Sequence, residues 1–435
     1  MAMVPGGGKK SRAEEDDHIS RLPDAILEEI VSLLPTKDGG RTQILSSRWR
    51  PIWLAAPLNL DIHHRPPFQR LIPAGEISGI LSSHPGPGRR FRIPRDYLEH
   101  DDRAAATLDG WLRSPVLDGL QELEFHYGDW EKSPLPPLPA SAHRFSSTLR
   151  ALLGGCPVLQ SLMITSCIGC CTRIRIVSST LRSIGVHISW GGIKLRQLAI
   201  EDAPCLERLL LFGQGFSKKL VISVISAPKL EILGQLPFKG LRVEFGATAI
   251  QGSSVLNSTM VVPSVKVLAL TQKDLSLDVV IDFMKCFPCL EKLYIKLTRM
   301  YNQPTKSKSE VTNAWCRKYR NLISALDIRL KKIVVTTYRG NKAHVNFAKF
   351  FVLNAGVLES MVLEVDVANY YSKTWIERQH TLLQIDNSAS KGARFDFVSH
   401  GGWPATLEYI WSDQVHDLST ADPFVGFDKW ACSPD

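Results

Sequence analysis

Hydrophobic positions along the chain follow two different periods. Between His18 and Ala56 they recur every three to four residues. Ile26, Leu27, Ile30, Leu33 and Leu34 share helical spacing and stop at Pro35, which predicts one amphipathic helix of about three turns. Thr36-Lys37-Asp38 can cap a second helix running through Ile44 and Leu45, and Ser46 or Ser47 a third carrying Trp49 and Trp53. From Leu120 onward the pattern changes to L-x-x-L-x-[L/I/V], in which a short strand turns its first, fourth and sixth residues inward. Copies start at Leu120, Leu159, Leu181, Leu195, Leu206, Val265, Leu290, Leu330 and Leu358, with Leu230/Leu233 a partial one.

With the out-of-phase copy at Leu195 set aside, the starts at 159, 181, 206, 230, 265 and 290 are separated by 22, 25, 24, 35 and 25 residues. Most of these intervals fall in the leucine-rich-repeat range of about 20–29 residues. Pro157, Pro204, Pro228, Pro263 and Pro288 each stand two residues before the template and predict a shared turn. Cys167 falls where such repeats place Asn or Cys. A single repeat cannot bury its own leucines, so neighbours must stack into one core while their strands line an extended concave face suited to binding. The expected fold class is α/β: a short N-terminal three-helix module followed by an irregular leucine-rich-repeat solenoid.

Composition excludes several alternatives. With 44% hydrophobic and 22% charged residues over 435 positions the chain is ordinary globular material, neither collagen, coiled coil nor wholly disordered. The formal charge of +9 is concentrated: ten Lys/Arg between Tyr301 and Val345 face only Glu310 and Asp327. With Trp315, Tyr319 and Tyr338 nearby, this cluster has the composition of a phosphate-binding or acid-binding patch, or of a solvated face. The N-terminus lacks an apolar signal region and no stretch reads as a membrane span, so no membrane partner is expected. Nine scattered cysteines fit reduced thiols, hence the cytoplasm or nucleus.

The run Leu22-Pro23-Asp24-Ala25-Ile26-Leu27-Glu28-Glu29-Ile30-Val31-Ser32-Leu33-Leu34-Pro35, followed by Arg41-Thr42-Gln43-Ile44-Leu45-Ser46-Ser47-Arg48-Trp49 and Trp53, resembles the F-box of plant F-box/leucine-rich-repeat proteins. Leu330-Lys331-Lys332-Ile333-Val334, Tyr338-Arg339-Gly340 and the run from Asn346 to Glu359 look like the FBD region that follows the repeats in many of them. The resemblance extends from Ile19 to about Phe397. It implies a substrate receptor of an SCF-type cullin ubiquitin ligase, the F-box gripping a Skp adaptor, and through it a cullin, while the repeats hold a target protein. By position the adaptor-facing residues would come from Leu22, Pro23, Ile26, Leu27, Ile30, Leu34, Pro35, Ile44, Leu45 and Trp49, some of which must form the small core. Gly39-Gly40, each costing about 1 kcal/mol relative to Ala in a helix, and Pro51 inside the third helix depart from that pattern.

The expected organisation is a disordered tail (1–17), the helical module (18–58), a linker with first repeat segments (59–119), the repeats (120–315), an FBD-like region continuing or capping them (316–400) and a C-terminal tail (401–435). Strand alternation puts the third and fifth template positions on the outer face. Candidate target contacts are therefore Gln197, Arg208, Lys292, Tyr294 and Lys332, beside Ser161, Met163 and Leu210. No catalytic constellation is legible: Gly6-Gly7-Gly8-Lys9-Lys10-Ser11 lacks a phosphate-loop frame, and neither G-x-S-x-G nor H-E-x-x-H occurs. Cys167-Ile168-Gly169-Cys170 and Cys286-Phe287-Pro288-Cys289 read as buried small residues rather than zinc ligands, because about 115 residues separate the pairs. No cofactor or metal is expected and the chain is read as a non-enzyme. The rival reading is a repeat protein outside any ligase, using its basic face on nucleic acid or a phosphorylated ligand.

Overall fold

The computed structural model describes residues 19, 21–34, 36–60, 74–93, 107, 110–126, 157–165, 173–188, 196–213, 220–237, 241–251, 254–257, 261–297, 327–399, 418 and 424. Three short helices come first: α1 (Asp24–Ser32), α2 (Thr36–Arg41), which continues as a 3-10 turn over Thr42–Ile44, and α3 (Trp49–Ala55). Strands β1 (Leu58–Leu60) and β2 (Gly88–Ile93) flank α4 (Ala74–Ser83), and β3 (Glu122–His126) follows. Then come β4 (Ser161–Thr165), β5 (Arg173–Val177), β6 (Ser183–Ile188), β7 (Gln197–Asp202), β8 (Arg208–Gly213), β9 (Val221–Val224) and β10 (Ile232–Leu236). Three more form a meander, β11 (Arg242–Phe245), β12 (Thr248–Gln251) and β13 (Ser254–Asn257). Beyond them lie β14 (Val267–Gln272), α5 (Leu277–Cys286), β15 (Lys292–Leu297), β16 (Lys332–Thr336), α6 (Lys342–Asn354), β17 (Ser360–Val365), α7 (Val367–Tyr370), α8 (Lys373–Leu383) and β18 (Arg394–Ser399).

Among the described residues these strands make two sheets. The larger has twelve parallel strands in the order β1-β2-β3-β4-β6-β8-β10-β14-β15-β16-β17-β18, in which β3 to β17 bear the in-phase template copies in chain order and β1, β2 and β18 extend the sheet at its ends. The smaller runs β13-β12-β11-β9-β7-β5 and is built from the strands between. The chain is thus a mixed α/β protein of leucine-rich repeats, each delivering one strand to the larger sheet. Leu198 and Ile200, which complete the out-of-phase template, sit in β7 of the smaller sheet and explain why its phase differs.

The template residues do what their spacing predicts. The first and fourth positions of the in-phase copies, from Leu120 and Leu123 to Leu358 and Met361, are at most 2% exposed and join one continuous core; Leu195 lies outside the described residues. The shared turn also forms. Leu206, Leu230 and Leu290 donate backbone N–H groups to Ala203, Ala227 and Phe287 carbonyls at 3.0–3.1 Å, with Pro204, Pro228 and Pro288 at the second turn position, where a ring-fixed φ fits. The residue after each first template position carries a main-chain ladder across the larger sheet, Gln160 to Gln121, Arg182 to Gln160, Glu207 to Arg182 and Glu231 to Glu207, each bond 2.8 Å.

Candidate functional site

Two regions hold the residues that the sequence singles out as contacts. The first belongs to the N-terminal helices. Leu27 and Val31 of α1, with Trp49, Ile52 and Ala56 on and after α3, form a small core of their own, with Leu22 and Trp53 packed against it. Arg48 ties the start of α1 to the start of α3: its Nη2 donates to the Leu22 carbonyl and to Asp24 Oδ1, both at 2.6 Å. Ile26, Ile30 and Leu33 lie at positions i, i+4 and i+7 on the side of α1 away from this core, and Ile44 and Leu45 are 84% and 67% exposed. Of the ten proposed adaptor positions, Leu27 and Trp49 are therefore core residues and Leu22 and Leu34 half-buried, while Pro23, Ile26, Ile30, Ile44 and Leu45 are open; Pro35 lies outside the described residues. Helical periodicity names a stripe, and only packing decides which of two adjacent stripes faces in.

The two departures in this segment have local structural reasons. Gly39 is buried, and a Cβ there would meet the Trp53 ring 2.5 Å away, so the glycine lets indole and helix touch. Helix α3 begins at Trp49 rather than at Ser46, which leaves Pro51 in its first turn, where an amide N–H would have had no helical partner. The helices are fastened to the sheet. Thr36 Oγ1 donates to the Asn59 carbonyl, Asn59 Nδ2 to the Ser32 carbonyl, and Arg89 Nη1 to Glu29 Oε1 at 3.2 Å. Gly86 N–H donates to His84 Nδ1 at 3.1 Å, which puts the imidazole proton on Nε2, 3.1 Å from the Trp53 carbonyl.

The second surface is the outer face of the larger sheet. Its third template position reads Ser161, Ser183, Arg208, Ile232, Val267, Lys292 and Lys332 from β4 to β16; its fifth reads Met163, Gly185, Leu210, Gly234, Ala269, Tyr294 and Val334. The fifth row is apolar throughout. Gly234, at φ 144°, approaches β14 so closely that a Cβ would lie 2.7 Å from the Ala269 carbonyl oxygen. Of the proposed target contacts, Arg208, Lys292 and Lys332 stand half-buried on this face, and Gln197 stands in β7 of the other sheet. Tyr294 corrects the expectation: it is 1% exposed, packed with Met163, Leu210, Ile232, Ala269, Leu418 and Phe424 in a second hydrophobic cluster. At the β2–β3 end the face carries a buried ion pair, Arg92 Nε to Glu124 Oε1 at 3.0 Å.

Along the rim of that sheet a charge ladder follows the main-chain one. Arg182 pairs with Glu207 across β6 and β8 at 2.5 Å, Lys266 with Glu231 at 2.8 Å and Lys331 with Glu291 at 3.0 Å. The hydrogen bonds that Arg182 and Lys266 donate to Glu207 and Glu231, then the carboxylate charges, raise both groups above their ordinary pKa values. The described part of the basic cluster is similarly engaged: Arg329 pairs with Asp327 at 2.6 Å and Lys332 Nζ stands 5.3 Å over the Tyr294 ring. The cluster's first part, 301–326, lies outside the described residues, as does the Cys167/Cys170 pair. Cys286 is buried at the end of α5 and Cys289 is half-buried in the following turn. Among the described residues there is no group of three or more potential metal ligands, and no helix is long and apolar enough to cross a membrane.

In the C-terminal part, Tyr338, His344 and Gln379 form a buried polar knot behind β16 and β17. The Tyr338 hydroxyl donates to Gln379 Oε1 at 3.1 Å, and burial pushes its pKa up. His344 Nδ1 accepts from the Arg339 N–H at 2.9 Å; burial first, then the Arg339 charge, lowers its pKa to about 4. Gly340, at φ 64°, makes the turn before α6, with Gln379 and Trp375 2.7 Å from where a Cβ would be.

With this geometry in place, comparison with known proteins adds the family context. The model of the leucine-rich repeats of the FBD-associated F-box protein At5g56370 matches residues 108–154 and 146–295, and the FBD model matches 320–363. The putative F-box/FBD/LRR-repeat protein At5g22610 of Arabidopsis thaliana is 25% identical over 279 residues, covering 52% of this chain and 55% of that one. The Arabidopsis F-box/FBD/LRR-repeat protein At5g22700 is 28% identical over 262 residues, covering 50% and 58%. A shorter match, 40% identical over 114 residues, joins 26% of this chain to 25% of the putative Arabidopsis F-box/FBD/LRR-repeat protein At2g05300. The chain spans about half the length of the curated relatives it matches.

Proposed function

Since the chain is a relative of the plant F-box/FBD/LRR-repeat proteins, we propose that it is the substrate-recognition subunit of an SCF-type cullin ubiquitin ligase, residues 18–58 being held by a Skp adaptor and the repeats holding a target protein. The names of its relatives point to a non-enzymatic, adaptor-type protein. One observation carries the reading. The N-terminal helices close a core of their own and still leave Ile26, Ile30, Leu33, Ile44 and Leu45 in solvent. A large apolar side chain left in water is ordinary when single and informative when several share one small unit.

In this proposal the helices form the adaptor-binding module, the parallel strands in chain order stack as one irregular solenoid over 120–315, and 316–400 continues it. The receptor needs no catalytic residue. Holding the target beside a ubiquitin-charged enzyme raises its effective concentration into the range of an intramolecular step. The site of action is the cytoplasm or the nucleus. The test is capture of the full chain by a plant Skp adaptor, beside a known F-box protein as positive control and an Ile44→Asp/Leu45→Asp variant. Wild-type capture reduced at least tenfold in the variant, with an unchanged melting temperature, is expected because both side chains are exposed. No wild-type capture in an assay where the control binds sinks the proposal.

A further inference from the structure

The two edges of the larger sheet are finished in different ways. At one, β1 is buried along its whole length and the N-terminal helices use its main chain, Thr36 Oγ1 donating to the Asn59 carbonyl. At the other, no position of β18 is buried: Phe395 and Phe397 turn toward the core and are half-buried, while Arg394, Asp396 and Val398 stand exposed on the outer face. Among the described residues no strand pairs with the far side of β18. The Arg394 N–H donates to the Glu359 carbonyl at 3.0 Å, and the register with β17 runs without a break from Ser360 opposite Arg394 to Val365 opposite Ser399. In a parallel ladder alternate residues direct both main-chain groups to the same neighbour, so Arg394, Asp396 and Val398 serve β17. The N–H and C=O groups of Phe395 and Phe397 therefore point away from the sheet, and an open edge of this kind is a template for another strand.

The side chains along that edge narrow the choice of strand. Arg394 and Asp396 carry opposite charges two residues apart, and their neighbours on β17, Ser360 and Val362, carry none. A second copy of β18 supplies the complement. Laid antiparallel about a two-fold axis at Phe395, the two Phe395 residues exchange both N–H···O bonds and each Phe397 N–H reaches the other copy's Ala393 carbonyl. Arg394 of each copy then faces Asp396 of the other in the close, non-hydrogen-bonded pair, where opposite charges stabilise the ladder. Other axes that keep both outer faces on one side are worse. At Arg394 or Asp396 they oppose like charges, and at Phe397 they set Asp396 against Val398 and leave Arg394 beyond the end of the facing strand. We propose that the chain associates with a second copy of itself through β18, as an isologous two-fold dimer in which two larger sheets join edge to edge. The covered edge at β1 prevents head-to-tail growth, so the pairing closes at two copies. The dimer is independent of the ligase reading, since its residues lie at the opposite end of the sheet from the N-terminal helices.

The test is sedimentation velocity of the full chain over a concentration series, with wild type, Arg394→Asp, Asp396→Arg and an equimolar mixture of the two variants. Six residues a side put the contact at the small end of specific interfaces, so the wild-type dimer is expected to grow in over the micromolar range. Arg394→Asp gives an edge with two carboxylates and Asp396→Arg one with two cations, and each alone is expected to weaken self-association at least tenfold. Both positions are exposed, so the melting temperature is expected to stay that of wild type. Mixing restores both charge pairs, and a one-to-one heterodimer within a few-fold of the wild-type affinity is expected, a rescue that misfolded chains cannot give. Amide exchange reads the backbone: the Phe395 and Phe397 N–H groups are expected to exchange at least tenfold more slowly above the dissociation constant than below it, with the Arg394 N–H unchanged. A wild type that stays monomeric, a dimer indifferent to both reversals, or a mixture of variants that stays monomeric overturns the proposal.

Discussion

The stretch from β4 to β13 and the stretch from β14 to β18 share one template and one sheet, yet their backs differ. In the first, alternate strands β5, β7, β9 and β11 close the core as a second sheet; in the second, α5, α6 and α8 do so. The sheet-backed part packs aliphatic residues such as Ile174, Leu198, Ile222 and Val243, whereas the helix-backed part brings Phe283, Phe347, Phe350 and Phe351. The two backings meet where Phe245 of β11 packs edge-on against Phe287, ring centroids 6.1 Å apart. The leucine template thus governs only the strand that bears it. What covers the other side depends on the intervening residues, where a period of two gives Arg173–Val177 with its alternate buried positions and a period near 3.6 gives Leu277–Cys286.

Three measurements break or sharpen that contrast. The largest effect is expected from Phe351→Ala in α6: a fully buried ring touching Phe347 and Phe350, both at 5.1 Å, leaves a cavity costing about 3–5 kcal/mol. Denaturant unfolding should show the loss and hydrogen exchange should confine early opening to β16–β18; uniform opening that includes the sheet-backed part would erase the distinction. Acid comes next. His344 is neutral when folded, with its pKa lowered to about 4 from 6.5, so its contribution is complete above pH 6.5 and is lost as pH falls toward 4, up to about 3 kcal/mol. His344→Asn, which keeps an acceptor for the Arg339 N–H, should flatten the stability curve across that window, and an unchanged slope would discharge the histidine from this role. The smallest effect belongs to the rim. A double-mutant cycle on Glu231 and Lys266, both about half exposed, should give about 0.2–1 kcal/mol and shrink in 1 M salt.

The front strands were legible because the template is a burial rule repeated many times, and each copy from Leu159 to Leu358 names the side chains that face inward. The second sheet was not, because Leu198 and Ile200 obey the same rule as their neighbours and nothing local distinguishes one layer from another. The N-terminal helices were predicted, but the choice between Leu27/Val31 and Ile26/Ile30 as the inner stripe waits on Trp49 and Ile52, which complete the core. Tyr294 was misread for a related reason. Alternation places it correctly on the outer face, but that face is covered by residues more than a hundred positions away in the chain, a contact that no short-range pattern contains.

The nearest-neighbour order of the larger sheet also has a consequence in time. Each new strand finds its partner already formed one repeat earlier, so the sheet can grow as the chain leaves the ribosome, with little loop closure at each step. The exception is the contact of Phe424 with Tyr294. At a synthesis rate of about 5–20 residues per second, the interval between these two residues is on the order of ten seconds. For that interval the nascent protein is expected to display an apolar strip that Leu418 and Phe424 later help to cover, the moment at which a chaperone has its freest approach.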